Sequence, residues 1–109
     1  MSEPIVVFVS CADADQAERI AERLVRDRLA ACCQILPKVR SVYVWKDEVC
    51  REDESVLTAK SDRDCFERLR QAVRDEHSYE TPEIIALPIS AGDEAYLDWI
   101  GQTLSERLP

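Results

Sequence analysis

Glycine is almost absent from this chain of 109 residues, which contains two. Loops that wrap phosphate groups need glycine for close backbone approach, so glycine-rich phosphate loops are excluded. Histidine occurs once, at His77. No serine and acid stand at motif spacing around it, so no catalytic triad is legible and the chain does not read as an enzyme. The five cysteines, Cys11, Cys32, Cys33, Cys50 and Cys65, contain no Cys-x-x-Cys pair and are odd in number. A disulfide framework and a zinc ribbon are both unsupported. No apolar run approaches the length of a membrane span. The opening Met1-Ser2-Glu3-Pro4 carries no basic segment and no cleavage pattern, so no secretory signal is read there. The expected compartment is the cytoplasm, with reduced thiols. Positive charge is also scarce: 14 basic residues against 22 acidic ones give a net charge of −8. That balance repels nucleic-acid phosphates and anionic membranes, so neither is expected as a partner, and it attracts cations without choosing among them.

What is present reads as one globular domain spanning residues 1–109, with 46% hydrophobic and 33% charged residues. Residues 5–10 form an apolar run suited to the centre of a sheet. Asp13 is placed to cap a helix, with Gln16 completing a capping box. Ala17, Ile20, Ala21, Leu24 and Val25 then recur at helical spacing to about Arg28, with charges opposite. Small residues follow at 30–33, and Pro37 marks an edge or a bend. Residues 39–45 alternate, with Val39, Ser41, Tyr43 and Trp45 sharing one face. Residues 46–48 read as a polar hairpin tip, and a return strand follows from 49 to 60. Ser61 or Asp62 caps a second helix with Phe66, Leu69, Ala72 and Val73 inward. Asp93 caps a third with Tyr96, Leu97, Ile100 and Leu104 on one side. The last residues are expected to fray.

The run from 77 to 88 organises the chain. Pro82 biases Thr81 away from helix. Ile84, Ile85, Ala86 and Leu87 then form a short apolar run closed by Pro88, which reads as a buried strand. His77, Tyr79 and Glu83 therefore sit where a helix hands over to a strand, and a rigid scaffold often presents chemistry at such a junction. The order β-α-β-β-α-β-α gives an α+β, split β-α-β, ferredoxin-like sandwich with a C-terminal helix and a long hairpin between the second and third strands. Helices cover one face of its sheet. The other stays open unless another chain covers it, and the aromatic-bearing hairpin points to such a chain.

Several segments in order carry a resemblance: Leu29-Ala30-Ala31-Cys32, Pro37-x-Val39-x-Ser41-Val42-Tyr43-x-Trp45, the acidic arm ending at Lys60, His77-x-Tyr79-x-x-Pro82-Glu83-Ile84, Leu87-Pro88 and Tyr96-Leu97-x-Trp99. Together they closely resemble the CutA family of divalent-cation tolerance proteins. The resemblance implies a homotrimer shaped like the PII signalling trimers, with sheets packed inward and hairpins reaching to neighbours. It also implies an association with copper and other divalent metals. The places where copper ligands are discussed for the family offer Cys11, Glu76 and His77 here. Cys32, Tyr43, Trp45, Lys60, Tyr79 and Glu83 are the expected lining of clefts between subunits.

Each candidate has a plainer alternative. Imidazole suits copper or zinc, but a histidine at a helix C-terminus also serves the helix dipole. Cys32 and Cys33 are adjacent on a strand, so they face opposite ways and cannot chelate one ion together. Glu52, Asp53 and Glu54 read as a solvated edge that discourages aggregation. Two functions follow: a copper-responsive, metal-binding trimer that needs no metal to fold, or a PII-like regulatory module taking a small ligand or partner protein in its clefts. A hidden enzyme built on His77, Glu83 and Lys60 is supported by nothing in the sequence.

Overall fold

The computed structural model describes residues 2–106. The frayed end expected at the last residues lies largely outside them. Strand β1 (Pro4–Cys11) is followed by helix α1 (Ala14–Arg26), strands β2 (Cys32–Trp45) and β3 (Glu48–Asp62), helix α2 (Phe66–Glu76), strand β4 (Ile84–Pro88) and helix α3 (Glu94–Ser105). The sheet runs β2-β3-β1-β4, and every neighbouring pair is antiparallel. This is the split β-α-β arrangement read from the sequence, with β1 interior because it is apolar on both faces.

Alternation divides the sheet. Ile5, Val7, Val9 and Cys11 of β1 and Ser55, Leu57, Ala59 and Ser61 of β3 face the helices and are buried. They pack on Ala17, Ile20 and Leu24 of α1 and on Leu69, Ala72 and Val73 of α2. Helix α3 builds a second, smaller core from Leu97, Ile100 and Leu104 against Ala31 and Cys65. The N-terminus of α1 is capped as expected: Asp13 Oδ1 accepts from Gln16 N at 2.8 Å. The Gln16 side chain caps Ala12 N rather than Asp13 N, at 2.9 Å.

Four local features differ from the sequence reading. Helix α1 stops at Arg26, because Asp27 caps it and Arg28 turns left-handed (φ 58°). Strand β2 continues through Pro37, with a bulge between Leu36 and Val39 that absorbs the missing donor and places Lys38 at φ 59°. The hairpin closes on Lys46 and Asp47, at φ 50° and 67°. That is the positive-φ geometry of a two-residue turn without the usual Asn-Gly signal. Strand β4 is an edge, not a buried strand: Ile84 packs on the core, while Ile85 and Leu87 are 51% and 45% exposed. Its apolar run follows from an unpartnered lower face, not from burial within this chain.

Beyond the bulge, β2 and β3 pair from Val39–Glu54 out to Trp45–Glu48 as an arm that projects past the sheet. On its outer part Val42, Val44 and Val49 on one side and Tyr43 and Trp45 on the other are exposed.

A tied helix–strand junction at the end of β1

The segment after α2 returns to the end of β1 and is held there by several side chains. His77 takes an extended backbone at the C-cap of α2. Its Nε2 lies 2.6 Å from the Ser10 carbonyl oxygen, and its Nδ1 accepts from Tyr79 N at 3.1 Å. A carbonyl only accepts, so Nε2 carries the proton and Nδ1 carries the lone pair. Both ring nitrogens are thus engaged inside the chain. The imidazole also stacks obliquely on Tyr79, with centroids 4.7 Å apart. Ser10 Oγ donates to Glu83 Oε1 at 3.1 Å, and Gln16 Nε2 donates to Ser78 Oγ at 2.8 Å.

Tyr79 reaches across the open face and donates from its hydroxyl to Glu54 Oε2 at 2.6 Å. Glu54 is therefore not a solvated edge residue: it is 8% exposed. Its strand position puts it on the open face, where Tyr79 reaches it from a segment 25 residues away in sequence. Farther out on the arm, Tyr43 Oη donates to Glu52 Oε1 at 2.8 Å. Burial, then the bond to Glu54, pushes the Tyr79 phenol well above its ordinary value. The bond to Glu52 pushes Tyr43 up to about 12.

The predicted metal set is not assembled in one chain. Among the described residues, no three His, Cys, Asp or Glu side chains are grouped to hold an ion. Cys11 is wholly buried on the helix side of β1, and burial, with Glu54 and Asp13 adding to it, pushes its thiol up to about 11. A thiol that resists deprotonation is a poor ligand. Glu76 Oε2 is held by Arg23 at 3.1 Å, and His77 has no free nitrogen. As placed, Cys11, Glu76 and His77 do not fit a metal ion.

The residues expected to line clefts do lie on or beside the open face, in three places. Tyr79 and Glu83 are at the junction. Tyr43 and Trp45 are on the arm, with Lys46 Nζ 5.8 Å from the Trp45 ring centroid. Cys32 and Lys60 pair across strands at the opposite end, where Lys60 Nζ donates to Gln34 Oε1 at 2.7 Å. Burial, with Cys32 close by, raises the Tyr96 phenol above its ordinary value. Lys60 lies beside Val6 and His77 beside Ser10, about 13 Å apart along β1 at strand rise. A shared catalytic site for His77, Glu83 and Lys60 is therefore not formed. Ser10, Gln16 and Glu54, which complete the junction, carried no local signal beyond the capping position of Gln16.

The Tyr79–Glu54 pair makes a pH prediction. A phenol whose folded value is raised stabilises the fold fully below its unfolded value of about 10. The contribution is lost as pH rises through the folded value. Thermal unfolding should therefore fall more steeply above pH ~10 in the parent than in Tyr79→Phe. Equal slopes would mean that the pair does not couple to folding.

A four-stranded antiparallel sheet with an overlong hairpin and a tied helix–strand junction defines a ferredoxin-like α+β protein whose second sheet face is bare. The sequence model described as CutA1 divalent ion tolerance protein matches residues 5–103. The divalent-cation tolerance protein CutA of Thermus thermophilus is 41% identical over 95 residues, covering 87% of this chain and 92% of that protein. The chloroplastic CutA protein of Arabidopsis thaliana is 38% identical, covering 88% of this chain and 53% of that longer protein. The crystal structure of CutA from Xylella fastidiosa superposes with a TM-score of 0.91 at 33% identity, covering 94% of this chain and 99% of that one. The chain belongs to the CutA1 family of divalent ion tolerance proteins.

Proposed function

We propose that the chain acts in divalent-cation tolerance as a homotrimer that takes up its cation, copper foremost, where subunits meet. The observation that carries this reading is the bare sheet face. Leu36, Ile85 and Leu87 are 48%, 51% and 45% exposed on it, and an arm with Tyr43 and Trp45 extends beyond it. Contiguous apolar surface of this kind marks a protein–protein contact. Soft donors favour copper over magnesium or calcium, and half-exposed Cys32 and Cys50 are the thiols on this face. All five cysteines are free, which fits a reducing compartment such as the cytoplasm. No helix among the described residues is long and apolar enough to cross a membrane. The relatives' names do not fix a compartment, since they include a chloroplastic and a periplasmic protein.

Titration with copper under reducing conditions tests the reading. Saturable binding should exceed that of magnesium, and Cys32→Ser should weaken it at least tenfold. His77→Ala should leave it unchanged. Equal binding by a monomeric variant would place the ion inside one chain. A PII-like regulatory role is the second reading. It is favoured by the polar groups, Lys60, Tyr79 and Glu83, set around the same face. It would show instead as thermal stabilisation by a metabolite without copper.

A further inference from the structure

We propose that the helix face of each chain carries an anion site, suited to an organic phosphate with an apolar body, at the C-terminal end of α1. On a chain of net charge −8, Arg23, Arg26, Arg28 and Arg68 converge on one groove of about 720 Å³ between α1 and α2. Asp27, Asp75 and Glu106 also line it, and they occupy two of the arginines. Arg23 faces Asp27 and Asp75 at 3.6 Å and Glu76 at 3.1 Å, while Arg28 faces Glu106 at 3.5 Å. Two guanidinium groups remain available. Arg26 has one loose pair, to Glu22 at 3.8 Å with both side chains largely exposed. Arg68 has no hydrogen-bond or ion-pair partner among the described residues. Guanidinium groups take phosphate oxygens in bidentate fashion.

A second hollow, of about 550 Å³, lies on the other flank of α1 and shares Arg26 and Arg28 with the first. Ala21, Val25 and Cys33 give it an apolar side, and Glu22, the partner of Arg26, also lines it. The Cys33 thiol is pushed up to about 12, mainly by burial, so it stays neutral and serves as lining. A phosphate held by Arg26 and Arg68 leaves room for a ring-sized apolar group in this hollow. The backbone adds a separate indication. Arg28 occupies the left-handed position that ends α1, where Leu29 N and Ala30 N both return to Leu24 O. Glycine suits that position best, and a side chain there is unfavourable. An arginine stands where the fold would favour glycine, and its side chain lines the groove.

The site lies within one chain, so it does not depend on the proposed assembly or on copper. The test is calorimetric titration of the intact protein with adenosine diphosphate, pyrophosphate and adenosine. Adenosine diphosphate should bind saturably, tighter than pyrophosphate, and adenosine should not bind. Raising salt should weaken the binding. Arg26→Gln with Arg68→Gln should reduce affinity at least tenfold. Arg28→Gly should also weaken binding, while the melting temperature holds or rises because the strained position is relieved. Absence of saturable binding, binding unchanged in the double variant, or equal binding of adenosine would each overturn the proposal.

Discussion

Ile85→Asp together with Leu36→Asp should leave a folded chain that sediments as a single 12.5 kDa species, where the homotrimer proposed for the parent would run at three times that mass. Ile85 pairs with Phe8 on β4 and Leu36 with Val56 on β2, so their side chains share the open face. Each is about half exposed in the isolated chain, so a charge there costs the chain little. Between packed sheets the same carboxylates would be desolvated and unpaired, costing several kcal/mol per charge. In a symmetric ring that penalty recurs at every copy of the contact. Circular dichroism should stay that of the parent, while melting should lose its dependence on protein concentration. A control change on the helix face, Arg74→Ala, should alter neither. If the double variant keeps the parent mass, the bare face is not the contact and the intersubunit reading of Cys32, Tyr43 and Trp45 falls with it.

The elements were legible because their periods are clean. The apolar run at 5–10, the alternation over 39–45 and the stripe of Ile20, Leu24, Leu69 and Val73 left little choice of fold. The junction was legible as a place but not as a mechanism. Its position follows from Pro82 and the single histidine, yet its bonds join residues 67 and 73 apart in sequence, which no local pattern encodes. Glu54 shows the limit most plainly. Its neighbours Glu52 and Asp53 are exposed, whereas Glu54 is buried and accepts a bond from the distant Tyr79. The thiol of Cys11 illustrates a different failure. It was expected to approach His77 from a loop after the first strand, but Cys11 is the last residue of β1, and alternation turns it toward the helices, where it is wholly buried.

His77→Ala should destabilise the chain by about 2 kcal/mol, with copper affinity unchanged. The imidazole joins the Ser10 carbonyl of β1 to the Tyr79 amide, so its loss leaves one acceptor and one donor without partners in a half-buried place. A net hydrogen bond is worth about 1 kcal/mol, and a polar group stranded away from water costs about 1–3. The loss would then spread, because Tyr79 stacks on the ring and covers Glu54. Amide exchange should accelerate at Tyr79 and at the end of β1, while the α3 core on Ala31 and Cys65 stays protected. Asparagine at position 77 has a shorter reach but keeps one donor and one acceptor, so it should recover part of the loss. The opposite pattern has a separate meaning. If His77→Ala unfolds at the parent's denaturant midpoint but loses copper, the ring must leave Ser10 to bind metal. The junction would then be a ligand site held closed by its own hydrogen bonds.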